Sequence, residues 1–274
     1  MAHGAIGTEG LQIYVIGGGG FTHEGDQAGD QAAIRQSPSR GTSQSPSRGI
    51  GWADAILEDR LLAIAPANPK IGFIGHASSD DPNRIARFYE RFQGLAKTSH
   101  LPINGDSEAA QAFIAALDIL YVGGGATLKM LHHWRQMGLD QMLIDAAHRG
   151  MILSGVSAGA ICWFDQLLLS DTGNGNNRYV HATGLGLLGG SACPHYHNEA
   201  PRKEAFDGQI AAGNISAGLG IDDGVGVHIC RGSVRDIVRA GSGDAFMIER
   251  RDDEATVTPL KIGQTLATFI KPRK

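Results

Sequence analysis

The stretch Met151-Ile-Leu-Ser-Gly-Val-Ser-Ala-Gly-Ala160 decides how this chain is read. A short apolar run ends in small residues, a serine follows between two glycines, and a helix-prone segment comes next. G-x-S-x-G in that setting is the pattern of a nucleophile elbow. The residue types follow from the mechanics of such a turn. A serine presented on a sharp strand-to-helix turn needs unusual backbone angles, and Gly155 and Gly159 remove the Cβ atoms that would collide with the neighbouring strand and helix. An ordinary glycine-rich strand-to-helix turn would read the same way, so the partners of Ser157 have to decide.

Outward from the elbow, other short apolar runs end in glycine: Leu11–Ile16 before Gly17–Gly20, Ile71–Ile74 before Gly75, and Ile119–Val122 before Gly123–Gly125. Runs of this kind are the signature of buried parallel strands. Helix-length stretches alternate with them, at Asn83–Ala96, Ser107–Ala116, Thr127–Met137 and Leu139–Arg149, and Asp106/Ser107 is a helix-start signal. The alternation predicts an α/β sandwich, with a mostly parallel sheet covered on both faces. Beyond about residue 220 the rhythm changes to closely spaced strand-like runs, Gly224–Cys230, Val234–Ala240, Ala245–Glu249 and Ala255–Leu260, which predict added antiparallel strands.

A chain of 274 residues, 42% hydrophobic and 19% charged, fits one large domain over residues 1–274 and excludes global disorder. One segment departs from this. His23–Gly49 has few large apolar residues and a near-duplicate, Ser37-Pro-Ser-Arg-Gly41 and Ser45-Pro-Ser-Arg-Gly49, and reads as a flexible low-complexity insertion at 23–49. Lys and Arg number 24 against 28 Asp and Glu, so no positive footprint points to nucleic acid or an acidic membrane surface. The three cysteines, Cys162, Cys193 and Cys230, form no CxxC pair, and no run approaches the length of a membrane helix. A reduced, cytoplasmic protein is expected.

A serine hydroxyl needs a base, and the base an orienting carboxylate. With 11 histidines in the chain a lone His says little, but His195 in Ser191-Ala-Cys-Pro-His195-Tyr ends a short strand-like run, and His197 competes with it. A metal reading of Cys193, His195 and His197 is weaker, because no fourth ligand stands at a recognised spacing. The developing oxyanion needs donors. The backbone N–H of Ala158 and the Gly123–Gly125 loop can supply them. Neither that loop nor Gly17–Gly20 carries the Lys-Ser/Thr of a P-loop or a full G-x-G-x-x-G, which argues against a nucleotide.

Val122-Gly-Gly-Gly-Ala-Thr127, Gly155-Val-Ser-Ala-Gly-Ala160 and Cys193-Pro-His-Tyr196, in that order and spacing, resemble the peptidase E (α-aspartyl dipeptidase) and cyanophycinase family of serine peptidases. The likeness runs from Ile13 to about Ile229. It implies a flavodoxin-like α/β sandwich related to class I glutamine amidotransferases, a small peptide substrate, possession of a Ser-His-Asp or Ser-His-Glu triad, and no metal or organic cofactor. Members of the family occur as monomers and as homodimers.

Carried over by motif, Ser157 matches the nucleophile, His195 the base, and Gly125 with Ala158 the oxyanion donors. The family's carboxylate falls some 15 residues after the serine, which here points to Asp171, with Asp165 as competitor. That assignment requires a short helix after Ser157, since an unbroken one would carry Asp171 about 21 Å away. Where relatives carry Asn after the glycines this chain has Ala126, which bears on substrate preference. A preference for N-terminal Asp requires a cation, for which Arg178, Arg202 and Lys203 are candidates. A non-peptide amide or ester hydrolase on the same triad, and a catalytically silent binding protein with this fold, are the competing readings.

Overall fold

The computed structural model describes residues 10–22, 54–171 and 178–266. The 23–49 segment singled out above lies outside them. Two sheets stand at the centre of the molecule. The first has seven strands in the order β11-β10-β1-β5-β4-β2-β3. Its parallel part comprises β1 (Gln12–Ile16), β2 (Lys70–Ile74), β3 (Lys97–His100), β4 (Ile119–Val122) and β5 (Ile152–Val156). β10 (Val225–Cys230) and β11 (Ser233–Arg239) extend it antiparallel beside β1.

The strands at its centre are apolar on both faces because both faces are covered: β4 and β5 are buried at every position. On one face α1 (Ala55–Ala63) and α2 (Pro82–Phe92) bury an aromatic cluster of Phe21, Phe73, Phe88, Phe92 and Tyr121, each fully buried. At roughly 1.5–3 kcal/mol per buried large side chain, this cluster is a main tie between α2, the end of β1 and the sheet. The opposite face is covered by α3 (Ser107–Ala115), α4 (Thr127–Met137), α5 (Leu139–His148) and the short α6 (Ala158–Ile161), which packs against β1, β4 and β5 as well as β8 of the second sheet.

Helix ends obey local chemistry. Asp106 Oδ1 accepts from the Ala109 N–H at 2.8 Å and so caps α3, and Asp81 Oδ1 accepts from Asn83 N–H at 2.8 Å ahead of Pro82 at the start of α2. Gly138, at φ +73°, ends α4 and opens α5 in a left-handed turn that a Cβ would strain.

The second sheet has six strands in the order β13-β12-β9-β8-β6-β7. β6 (Phe164–Asp171), β8 (Leu188–Pro194) and β9 (Gly218–Ile221) are parallel; β7 (Arg178–Thr183), β12 (Ala245–Arg251) and β13 (Glu254–Pro259) add antiparallel edges. α7 (Ala200–Ala211) packs on β8, β12 and β13. The mostly parallel α/β architecture is the one the sequence predicts. Its division between two sheets is not: the C-terminal runs separate, β10 and β11 to the first sheet, β12 and β13 to the second. The helix-friendly Gln166–Leu169 run is also part of strand β6, where its leucines are buried. Tertiary packing overrides propensity there.

Candidate active site

Open parallel sheets place ligands outside the carboxyl ends of their strands, and here those ends converge from both sheets. β5 delivers Ser157, β1 the Gly17–Gly20 loop, β4 the Gly123–Gly125 loop, β8 His195 and β9 Asp222 and Asp223. Ser157 adopts φ 53°, ψ −112°, a conformation that costs on the order of 1–3 kcal/mol for a residue with a Cβ. The surroundings hold it there. Its N–H donates to Ile16 O at 3.1 Å, and its carbonyl accepts from the N–H groups of Ala160 and Ile161. Gly155 and Gly159 face each other and the Val122 carbonyl so closely that a Cβ on either would collide with backbone.

Across the cleft, the imidazole of His195 bridges two groups. Nε2 lies 2.9 Å from Ser157 Oγ, and Nδ1 lies 2.5 Å from Asp223 Oδ1. A carboxylate only accepts, so Nδ1 carries the proton toward Asp223 and Nε2 is left free to accept from the serine hydroxyl. The meeting follows from register: β8 and β9 run parallel with Pro194 opposite Ile221, so the residues just past each strand stand side by side. His195 takes φ 54°, which turns its ring toward the elbow. Gly18 backs the pair, since a Cβ on it would strike Asp223 Oδ1 and lie 2.6 Å from His195 Nδ1. Its carbonyl accepts from Gly224 N–H at 2.9 Å, and Asp223 N–H donates to Asn198 Oδ1 at 2.9 Å.

The carboxylate at Nδ1 is therefore Asp223 and not Asp171, the residue nominated from sequence, nor its competitor Asp165. The reason lies in the sheet. β8 has two parallel neighbours, β6 carrying Asp165 and Asp171, and β9 leading into Asp223; the ring faces the β9 side. The short helix that Asp171 required does exist, as α6 ends at Ile161, but Asp171 closes β6 and its side chain lies outside those described. Sequence reasoning missed Asp223. The available signal was Ile221-Asp-Asp-Gly224, an acidic pair at a strand end before a glycine. His197, the competing base, is turned elsewhere: its ring and backbone N–H engage Asp222 Oδ1 at 3.0 and 2.9 Å, and it packs edge-on to Phe246.

A cavity of about 100 Å3 opens at Ser157, lined by Gly18, Gly19, Thr22, Arg84, Gly124, Gly125 and His195 among others. Gly125, at φ +137°, is pressed onto Ala77, whose carbonyl also accepts from Ala126 N–H at 2.7 Å. Ala158, buried, opens α6 directly after the serine. Among the described residues, the cation lining this cavity is Arg84 of α2, whose Nη1 donates to Gly124 O at 2.9 Å. Of the cations proposed from sequence, Arg202 pairs with Glu199 at 3.0 Å and Lys203 with Asp207 at 2.5 Å, while the Arg178 side chain is outside those described.

An α/β fold with a serine on a strand-to-helix elbow, facing a histidine, is that of a serine hydrolase. The chain belongs to peptidase family S51, whose family model matches residues 43–237, and it is a serine-type peptidase. It is 32% identical over 255 residues to "Uncharacterized peptidase YgaJ" of Bacillus subtilis (strain 168), covering 92% of this chain and 97% of that protein. It is 27% identical over 119 residues, 43% of this chain and 47% of the relative, to "Peptidase E" of Streptomyces coelicolor. Among solved structures its fold is similar to that of a peptidase from an acI-B1 Actinobacterium, with TM-score 0.60 and 14% identity over 94% of this chain and 98% of that one. No helix among the described residues is long and apolar enough to cross a membrane.

Proposed function

We propose that this peptidase hydrolyses short peptides through a covalent acyl-enzyme on Ser157, with His195 as the base and Asp223 as the orienting acid. The observation that carries the reading is the unbroken relay from Ser157 Oγ through His195 to Asp223. Ser157 Oγ attacks the scissile carbonyl while its proton passes to His195 Nε2. The C–N bond then breaks as His195 returns that proton to the departing amine. Water, deprotonated by the same nitrogen, releases the acid and restores the serine. Asp223 stabilises the imidazolium formed in each half, and the N–H groups of Gly125 and Ala158 receive the oxyanion.

The finer preference is for an acidic residue, an N-terminal Asp in the simplest case. Arg84 supports it in place of the cations named from sequence, because it stands at a cavity that otherwise offers mainly glycine backbone, and a small pocket beside a guanidinium suits a short carboxylate. A cytoplasmic setting is supported by the unpaired thiols of Cys162, Cys193 and Cys230.

A dipeptide panel of Asp-X, Glu-X, β-aspartyl and Ala-X substrates tests both levels. The Ser157→Ala protein is expected to fold and to cleave nothing; cleavage equal to wild type would exclude the serine. Arg84→Gln is expected to raise KM for Asp-X roughly tenfold or more, the scale of one lost charge-assisted contact, with Ala-X less affected. Labelling of Ser157 by a fluorophosphonate without cleavage of any dipeptide would favour a non-peptide acyl substrate.

A further inference from the structure

The buried carboxyl of Glu58 holds the loop that forms one wall of the catalytic cavity. Glu58, on α1, is wholly buried, and its Oε1 accepts from Phe21 N–H at 3.2 Å. Asp54, one turn earlier, accepts from Gly20 N–H through Oδ2 at 3.2 Å. Gly20 lies against Glu58 Oε1 so tightly that a Cβ there would overlap it, and Gly19 stands in the same relation to Asp54 Oδ2. These carboxyls clamp the loop that leaves β1. The same loop carries Gly18 against the His195–Asp223 pair, and Gly18, Gly19 and Thr22 line the cavity at Ser157. A short stretch of backbone thus joins Glu58 to the wall behind the histidine.

We propose that Glu58 is a positioning residue of this reaction: its buried carboxyl anchors the Gly17–Phe21 loop, and the loop fixes the surface against which His195 and Asp223 pair. The inference rests on the acyl-enzyme reading above and extends it to a residue that touches no substrate.

A fully buried glutamate is an expensive anchor where a neutral acceptor would suffice for one N–H, and its surroundings show what the acid adds. From α2, Arg91 faces it, with Nε 3.5 Å from Glu58 Oε2, while Arg91 Nη2 is held by Asp59 and Ala55 O; Arg87 of the same helix reaches Phe21 O. From the sheet, the buried hydroxyls of Tyr14 on β1 and Tyr121 on β4 feel its charge. The Tyr14 hydroxyl has no hydrogen-bond partner among the described residues, and the Tyr121 hydroxyl lies against the Glu58 carboxyl. Arg60 on α1, ion-paired with Asp236 on β11, also acts electrostatically on Tyr14.

Burial pushes the Glu58 carboxyl up to about 7, against the opposing pull of Arg91 and the Phe21 N–H. The anchor therefore changes charge in the neutral range. Ionised, it is the stronger acceptor for Phe21 N–H, since charge-assisted bonds are about twice as strong as neutral ones. The loop is then held more firmly, and the catalytic pair with it.

The test is the rate at which a small fluorophosphonate phosphonylates Ser157 with loss of fluoride, followed across the neutral range together with thermal melts. Glu58→Gln keeps an acceptor for Phe21 and removes the charge. It is expected to fold, to lose the component of the pH profile centred near neutrality, and to be phosphonylated several-fold more slowly than wild type on the alkaline side. Glu58→Leu removes the anchor and is expected to slow phosphonylation by about tenfold or more at every pH, the scale of a misplaced catalytic group. If the leucine protein does not fold, the glutamine protein decides. Coincident rates and pH profiles for wild type and Glu58→Gln would overturn the role of Glu58 alone. A wild-type protein that is not labelled at Ser157 would instead sink the acyl-enzyme reading, and this inference with it.

Discussion

An imidazole has one Nδ1 proton to offer, and in this molecule Asp223 receives it. Removing the charge at that position while keeping the shape leaves the wrong tautomer competing at the serine. Asp223→Asn is therefore expected to fold normally and to lower kcat by roughly 10²–10⁴, the range for an orienting acid in a triad. Asp171→Asn is expected to change kcat by less than about threefold, since a carboxylate outside the relay contributes at most long-range, screened charge. A larger loss from Asp171→Asn than from Asp223→Asn in steady-state turnover would reverse the two roles. At this scale the sequence was only partly legible. Ser157 stood out because a G-x-S-x-G run encodes its own turn, and His195 because it closes a strand-like run. Asp223 did not, because nothing local in Ile221-Asp-Asp-Gly224 says which strand lies alongside.

Among the elements, the elbow shows how little room the site leaves. β5, the turn at Ser157 and α6 are seated against β4 so closely that a Cβ on Gly159 would enter the Val122 carbonyl. Gly159→Ala should force the helix off the sheet and cost at least about 1–3 kcal/mol, as overpacking does in rigid surroundings. Gly208 gives the opposite case. It sits within α7 with nothing near its missing Cβ, so Gly208→Ala should stabilise the protein by about 0.5–1 kcal/mol through lost unfolded-state entropy and better helix propensity. Denaturant melts of the two variants check both signs; equal shifts would mean that the elbow is looser than its packing indicates. Element positions were legible wherever period and punctuation agreed, as at α4, predicted and found over Thr127–Met137. β6 was harder to read because Gln166–Leu169 suits a helix when taken alone, and only its neighbours β7 and β8 make it a strand.

At the scale of the whole molecule, two buried groups set opposite slopes of stability against pH. Glu58 is raised to about 7 by burial, so the folded state holds its proton longer than the unfolded chain does. Its contribution is complete below the ordinary carboxylate range and is lost as the pH rises through about 7. His228, on β10, is lowered to about 4, chiefly by burial and then by Arg60, and its ring nitrogens have no partner among the described residues. Its contribution is present above the ordinary imidazole range and is lost as the pH falls through about 4. Between about pH 4.5 and 6.5 the two slopes offset each other. Glu58→Gln should unmask the histidine, giving a Tm that climbs with pH across that window more steeply than in wild type, and His228→Gln should give the reverse. Parallel curves for all three proteins would show that neither group titrates as its burial implies.

What the sequence determined by itself is local. Apolar runs ending in glycine specify buried parallel strands, and a serine between glycines specifies a sharp turn, because these depend on sterics and hydrophobicity within a few residues. The order and spacing of three such motifs also placed the chain among the serine peptidases. What only the tertiary structure decided is adjacency: which strand lies beside β8, that β9 brings Asp223 rather than Asp171 to the imidazole, that Arg84 from α2 reaches the cavity, and that Glu58 grips the loop behind the histidine. Strand order is set by how apolar faces pack across the whole molecule, and no short window of residues carries that information.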